Sequence, residues 1–382
     1  MKILHIIGTL DPRAGGPSEY IRGLFRYGPI GYTGEAVTLD DPNAPFLKEL
    51  PFPVTALGPT SSKFGYTSAL APWLEANRHR FDGVVVDGLW HYSGYAAWRT
   101  LRGRIPYMVF THGMLDPYFK RAFPLKHVKK AFYWYLAQYW ILRDAFRVLF
   151  TTQQERHLAE QSFALHTWKP YIVPCGTVGP ANDEGDCIES FHQAVQSIGN
   201  RRFLLYLGRI HPKKGCDLLI DAFIKAAPLD TGLHLVMAGP DQTGWKEKLT
   251  AAARQSGVED RIHWPGMLTG KAKWGAFFAS EAFILPSHQE NFGIAVAESL
   301  SCGRPVLLSN QVNIAPEIAA DDAGYMEPDT LEGTVRLIER WIATTPDQRS
   351  IMRERAKALF QARYDMETTA RTLLSLLELA KG

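Results

Sequence analysis

Four cysteines in 382 residues, none of them in a C-x-x-C pair, leave this chain without a zinc ribbon and without a disulfide scaffold. Their wide spacing (Cys175, Cys187, Cys216, Cys302) fits a reducing cytoplasm. Excess charge is also missing. Lysine and arginine number 42 against 39 aspartates and glutamates, a net charge of +3, which disfavours a dedicated nucleic-acid binder. No run of 18 apolar residues is present, so nothing is expected to span a membrane. The opening "MKILHIIGTL" stops at Gly8 and Asp11 and is too short for a signal peptide. There is no repeat of solenoid length, and no G-x-G-x-x-G.

The composition, 46% hydrophobic and 21% charged, is that of a globular protein, and the length suits two domains. Short apolar runs alternate with longer amphipathic ones, the pattern of parallel α/β sheets. Strands are expected at 2–7, 35–39, 83–88, 106–113, 147–152 and 170–176. Helices are expected at Ser18–Tyr27, Tyr92–Arg102 and Ala131–Arg143. A polar stretch over 181–200 reads as a linker, after which strands resume at 202–209, 234–239, 261–266, 282–287 and 305–309. The pattern gives two Rossmann-like domains, 1–180 and 201–360. A last helix over about 346–382 follows, whose end (361–382) is a candidate to cross back onto the first domain.

In open parallel sheets ligands collect at the carboxyl ends of the strands, so polar residues just after each strand are the candidates. After the first come Gly15 and Gly16, with Ser18 expected to cap the following helix. This is either an ordinary glycine turn or a close approach for a phosphate. After the third, "DGLWHYSGY" offers Asp87, Trp90 and His91, a mixture that suits a sugar ring or simply a loop anchored by tryptophan. After the fourth, "THGMLDP" places His112 and Asp116, the histidine being either structural or cleft-facing. In the second domain "LGRIHPKKG" places Arg209 and Lys214 where two cations could neutralise a diphosphate or form a solvated basic loop.

The stretch "SHQENFGIAVAESLSCGRPVL" from Ser287 reads as a turn and then a helix that closes near Gly303. Glu290 falls just ahead of that helix and Glu298 about two turns into it. Eight positions at 1.5 Å each separate them by on the order of 12 Å. That spacing suits one carboxylate on a hexose hydroxyl and the other on a ribose. The amides around Asn291, Phe292 and Gly293 would then meet the phosphates between them.

Together, Gly15-Gly16, "THG" at 111–113, "GR…KKG" at 208–215 and the Glu290–Glu298 pair resemble the retaining GT-B glycosyltransferases of family GT4. The similarity runs over nearly the whole chain and is most specific at the glutamate pair. "THGMLDP" and the basic stretch after it resemble the subgroup that builds bacterial exopolysaccharide or lipopolysaccharide. The resemblance implies an α/β GT-B fold, two Rossmann-like domains facing across a cleft, and transfer of a sugar from a UDP- or GDP-sugar to a glycan or lipid-linked glycan. It implies that Glu290 contacts the donor sugar and Glu298 the ribose. Arg209 and Lys214 would hold the diphosphate with Gly16 and the amides at Phe292 and Gly293 assisting, Asn291 and Ile294 would belong to the donor side, the backbone around Met267 would lie against the base, and His112 beside the transferred sugar. Trp90, His91 and Asp116 fall on the acceptor side. No cofactor or metal is expected, and no Asp-x-Asp is present to hold a manganese-bound diphosphate.

Segment 119–147 combines Lys120, Arg121, Lys126, Lys129, Lys130, Arg143 and Arg147 with dense aromatics. It reads either as peripheral contact with an anionic membrane at the inner face of a cytoplasmic membrane, or as a buried helix with solvated ends. Two other functions stay open: a nucleotide-sugar isomerase that needs no acceptor, and a non-catalytic nucleotide-sugar-binding protein.

Overall fold

The computed structural model describes residues 1–380. They form two compact units, one of residues 1–176 with the C-terminal segment from Met366, the other of residues 177–365.

The first unit is built on seven parallel strands: β1 (Lys2–Ile7), β2 (Thr33–Thr38), β3 (Val54–Ala56), β4 (Gly83–Asp87), β5 (Tyr107–Phe110), β6 (Arg147–Phe150) and β7 (Pro170–Ile172). Their order is β3-β2-β1-β4-β5-β6-β7. The chain winds outward in both directions from the β1–β4 pair, so that pair is the topological switch point. Strand β4, "GVVVD", is buried at every position, as a strand covered on both faces must be. The helix Met366–Glu378 belongs to this unit. It buries Leu373, Leu376 and Leu377, and Thr369 Oγ1 donates to the Pro174 carbonyl at 3.1 Å. Two glycines make room for it. A Cβ on Gly83 would lie 2.3 Å from Leu377 Cδ2, and one on Gly23 would lie 2.3 Å from Met366 Cε.

The second unit holds six parallel strands: β8 (Arg202–Leu207), β9 (Leu233–Ala238), β10 (Ile262–Gly266), β11 (Ala282–Leu285), β12 (Val306–Ser309) and β13 (Gly324–Glu327). Their order is β10-β9-β8-β11-β12-β13, with the switch point at β8–β11.

Several expectations need correction. Residues 181–200 are not a linker. Glu184–Ala194 is a helix, capped by the Asp183 side chain, that buries Cys187 and Phe191. It packs on the helix Gly270–Ala279 so closely that a Cβ on Gly275 would sit 1.9 Å from the Cys187 carbonyl oxygen. Its acidic outer face made the whole stretch look like a connector. Ser18 does not cap a helix. The helix runs Gly16–Tyr27 with Gly15 at its N-cap, and Ser18 is buried inside it. The last helix is two, Pro346–Leu359 and Met366–Glu378, parted by a π turn and an extended Asp365, which is where the chain leaves the second unit. The helix expected at Ala131–Arg143 is likewise divided by a π turn at Trp134–Gln138.

Candidate active site

In the second unit the site is assembled around one short loop. After β8 the Tyr206 hydroxyl donates to the Arg209 carbonyl at 2.7 Å, turning the chain and leaving the Arg209 side chain exposed. A single turn, Pro212–Lys214, follows, with the His211 ring accepting from the Lys213 amide at 3.1 Å. Gly215 then takes φ +66°, and a Cβ there would fall 1.9 Å from the Pro286 carbonyl oxygen. Only glycine lets this loop approach the end of β11 so closely. The loop is fixed from the other side as well. Ser287 Oγ and the His288 amide both donate to the Lys213 carbonyl, each at 3.0 Å.

That approach delivers Lys214 to Glu290, and the two form an ion pair. The Glu290 backbone is locked on both sides, its amide to the Gln311 carbonyl and its carbonyl to the Asn313 amide, each at 3.0 Å. Asn291 Oδ1 accepts from Asn313 Nδ2 at 3.2 Å, and Phe292 is buried edge-on against Tyr364. Gly293, at φ +78°, caps the helix Ile294–Ser301, and Gly303, at φ +63°, closes it. Phe292, Gly293 and Ile294 therefore lie at a helix N-terminus, where amides have no intrahelical acceptor and the dipole favours an anion. Glu298 is mostly buried and accepts from Lys273 Nζ at 2.7 Å. Burial pushes its carboxyl up from the usual range, and Lys273 opposes that shift. Met267 is 70% exposed in the turn after β10.

In the first unit the strand-end groups are more deeply set. His112 has φ +47°, and its ring lies flat on Phe110 (4.2 Å between centroids) with only 6% of the side chain exposed. Its Nε2 is 3.0 Å from Asp87 Oδ1, while Asp87 Oδ2 is 2.8 Å from His5 Nδ1. Burial works against the Asp87 charge, but the two histidines outweigh it and lower the carboxyl below its ordinary value. The turn carrying His112 is held by a second buried carboxylate. Glu155 accepts from Thr111 Oγ1, the Gly113 amide, the Thr151 amide and Thr151 Oγ1 at 2.5–2.7 Å.

The remaining candidates are placed as follows. Gly15 (φ +90°) has no atom within 4 Å of where a Cβ would project, and Gly16 begins the helix behind it. The His91 ring stands 3.3 Å from where a Cβ on Gly8 would lie, beside the end of β1. Trp90 packs among Tyr133, Trp134 and Phe163, with Lys130 Nζ 4.6 Å above its ring, so it is part of an aromatic cluster. Asp116 is buried, and its Oδ1 accepts from the Tyr118 amide at 2.8 Å.

Three participants escaped the sequence reading: Lys273, Glu155 and His5. Lys273 carried no signal, being one of two lysines in the helix Gly270–Ala279. Glu155 did carry one, since "TTQQE" has capping-box spacing and Thr152 Oγ1 accepts from the Glu155 amide at 2.9 Å. His5 was visible as the only titratable residue inside the run "ILHII".

Two Rossmann-like sheets, the first with paired histidines around Asp87 and the second with lysine-held glutamates ahead of and within the helix Ile294–Ser301, make this an α/β protein of the GT-B class. The chain belongs to the group 1 glycosyltransferases. The family described as Glycosyl transferases group 1 matches residues 188–359, and Glycosyl transferase 4-like domain matches residues 15–176.

Among curated proteins, a GDP-mannose:cellobiosyl-diphosphopolyprenol alpha-mannosyltransferase of Komagataeibacter xylinus is 24% identical over 100% of this chain and 94% of its own length. A D-inositol 3-phosphate glycosyltransferase of Actinosynnema mirum is 29% identical over 44% of this chain, and the match spans 42% of that relative's length. Among solved structures, Anabaena HepE in complex with UDP superposes with a TM-score of 0.76 at 17% identity, covering 99% of this chain and all of that one.

Proposed function

We propose that this chain is a retaining glycosyltransferase that moves a sugar from a UDP- or GDP-sugar to a glycan or lipid-linked glycan in bacterial surface-polysaccharide synthesis. The observation that carries this reading is the pair of lysine-held glutamates, Glu290 ahead of the Gly293 turn and Glu298 in the helix Ile294–Ser301 after it. Glu290 is assigned to the hydroxyls of the donor sugar and Glu298 to the ribose. Arg209, Lys214 and the amides of Phe292 and Gly293 are assigned to the diphosphate, and Met267 backbone to the base. His112 is assigned to the transferred sugar. With lysine and arginine answering the diphosphate charge, the reading requires no metal. The bond from the anomeric carbon to the diphosphate breaks first, giving a short-lived ion pair. The acceptor hydroxyl then bonds to the same face, and its proton passes to the departing phosphate oxygen. The mannosyl and diphosphopolyprenol chemistry in the name of the full-length relative supports a lipid-linked acceptor and puts GDP-mannose first among donors to try.

Peripheral contact with an anionic membrane is part of the proposal. The helix Pro124–Tyr133 has no fully buried residue, whereas the continuation from Trp134 to Leu142 buries Trp134, Ala137, Ile141 and Leu142, so the membrane reading is confined to the first part of the segment. Leu125, Val128, Phe132 and Leu136 are 62–82% exposed at spacings of three and four, so the apolar stripe faces outward. Lys120, Arg121, Lys126 and Lys129 are exposed around it, and residues 117–143 contain no acid. An exposed apolar stripe with a basic rim is the pattern of an interfacial helix. No helix among the described residues is long and apolar enough to cross a membrane.

The test is nucleotide release across UDP-, GDP-, ADP- and dTDP-sugars, in EDTA, with Glu290→Ala as control. Release from one donor, reduced about a thousandfold in the variant, is the expected outcome. Product formation from donor alone, with the nucleotide retained, would indicate the isomerase instead. Binding without turnover would indicate the non-catalytic protein.

A further inference from the structure

The buried chain Tyr32–His5–Asp87–His112 has no part in the assignments above beyond His112 itself. Its geometry is continuous. Tyr32 hydroxyl to His5 Nε2 is 2.8 Å, His5 Nδ1 to Asp87 Oδ2 is 2.8 Å, and Asp87 Oδ1 to His112 Nε2 is 3.0 Å. The side chains of His5 and Asp87 are wholly buried. We infer that Asp87 is a positioning residue, which fixes His112 in the Nε2–H tautomer and thereby leaves its Nδ1 lone pair as the group presented to substrate. The inference rests on the reading of His112 as the sugar-side histidine.

The argument is one of donor and acceptor inventory. An ionised carboxylate only accepts, so each imidazole nitrogen facing Asp87 must carry a hydrogen. For His5 that is Nδ1, and Nε2 of the neutral ring then accepts the Tyr32 hydroxyl hydrogen. For His112 it is Nε2. The other nitrogen of His112 has no hydrogen-bond partner among the described residues, nor is it one of the fully buried unpartnered polar atoms, so it remains open. A half-turn of the ring about Cβ–Cγ would keep its plane on Phe110, where it is stacked at 23°, and edge-on to Tyr20, but would turn a ring carbon toward Asp87 in place of Nε2, so it does not exchange the two nitrogens. The φ of +47° at His112, held by Glu155 through the flanking Thr111 and Gly113, aims the side chain back toward β4. Two histidines converging on one carboxylate at the switch-point strand is more than a satisfied core requires. An asparagine would pack equally well, but it has one acceptor and one donor and could not accept from both rings.

Asp87→Asn is therefore the informative change. One imidazole must then move its proton to the opposite nitrogen. In wild-type protein labelled with ¹⁵N-histidine and assigned with His112→Gln, Nδ1 of neutral His112 is expected to give the unprotonated, pyridine-type resonance. In Asp87→Asn at least one of the His5 and His112 resonance pairs is expected to exchange types. Turnover is expected to fall about a hundredfold or more, in the manner of other wrong-tautomer variants, with the donor KM changed less than about threefold. A wild-type His112 protonated on Nδ1 would overturn the inference, whether or not Asp87→Asn folds. So would a folded variant that keeps both tautomers and full turnover. If the wild type consumes no donor, the function proposed above falls, while the resonances still decide the tautomer.

Discussion

The two units meet the same requirement, polar groups held at the carboxyl ends of a parallel sheet, in different ways. In the first unit the carboxylates turn inward. Asp87 and Glu155 are buried, and their oxygens are engaged by histidines, hydroxyls and amides of the same unit. In the second unit Glu290 and Glu298 each lean on a lysine ammonium, and those side chains retain 13–23% exposure. A lysine is a mobile partner on a flexible stem and can be exchanged for a ligand. A buried carboxylate with four fixed donors cannot be exchanged at all. The first arrangement builds a rigid wall, and the second builds a site that opens to a ligand.

The sharpest way to break this comparison is to remove one carboxylate from each unit. Glu155→Ala removes the acceptor shared by four buried donors, of which Thr111 Oγ1 can turn to the Leu149 carbonyl at 3.0 Å, and the first unit should lose about 3 kcal/mol or more. The expected reading is faster hydrogen exchange at residues 111–113 and 151–155, with the second unit unaffected. Glu298→Ala should cost the second unit less, since one acceptor bond is lost and Lys273, 23% exposed on a flexible stem, can turn its ammonium to water, while raising the donor KM. If Glu155→Ala were silent and Glu298→Ala unfolded its unit, the distinction between wall and site would be wrong.

A second prediction concerns the outward stripe of the first unit. Leu125→Ser with Phe132→Ser should weaken sedimentation with vesicles containing phosphatidylglycerol by about tenfold or more, from the apolar area withdrawn. Lys126→Gln with Lys129→Gln should cost somewhat less, at roughly 1 kcal/mol per cation, and the loss should vanish at high salt. Equal binding to neutral vesicles would remove the anionic requirement.

Eleven of the thirteen strands among the described residues are legible in the sequence because each is an apolar run between breakers. Strands β3 and β13 are not, being three- and four-residue edge strands with mostly half-buried sides and no alternation to read. As candidates, Lys214, Arg209 and His112 were legible because each stands beside a glycine at a strand-end turn, and the two glutamates because of their spacing around Gly293. Their partners were not. Lys273 and Glu155 reach the site from elements distant in sequence, and only the packing of those elements brings them in. Residues 181–200 read as a polar connector because their helix has one buried edge and an acidic face, and its partner helix, Gly270–Ala279, is far away in sequence.

The smallest predicted effect sharpens the comparison through histidines. In the first unit His5 and His112 share Asp87. In the second, His234 Nδ1 meets His263 Nε2 at 3.0 Å, His263 Nδ1 meets Ser197 at 2.9 Å, and the charges facing the pair among the described residues are Arg201 and Arg261. Burial, and then His263 and the arginines, push the His234 pKa from 6.5 down to about 4. The folded protein therefore keeps His234 neutral where the unfolded chain takes up a proton. This contribution to stability is complete above about pH 6.5 and is lost progressively as pH falls toward 4. Glu298 acts in the opposite sense, because a buried carboxyl with a raised pKa takes up its proton more readily folded than unfolded. Whole-protein acid titration would mix the two, so the measurement is a difference. Between pH 7 and 4.5 the melting temperature of the second unit should fall roughly 2–4 °C further in the wild type than in His234→Gln. A variant that parallels the wild type across that range would show that the histidine pair accepts its proton folded, and that the two units do not differ in this respect.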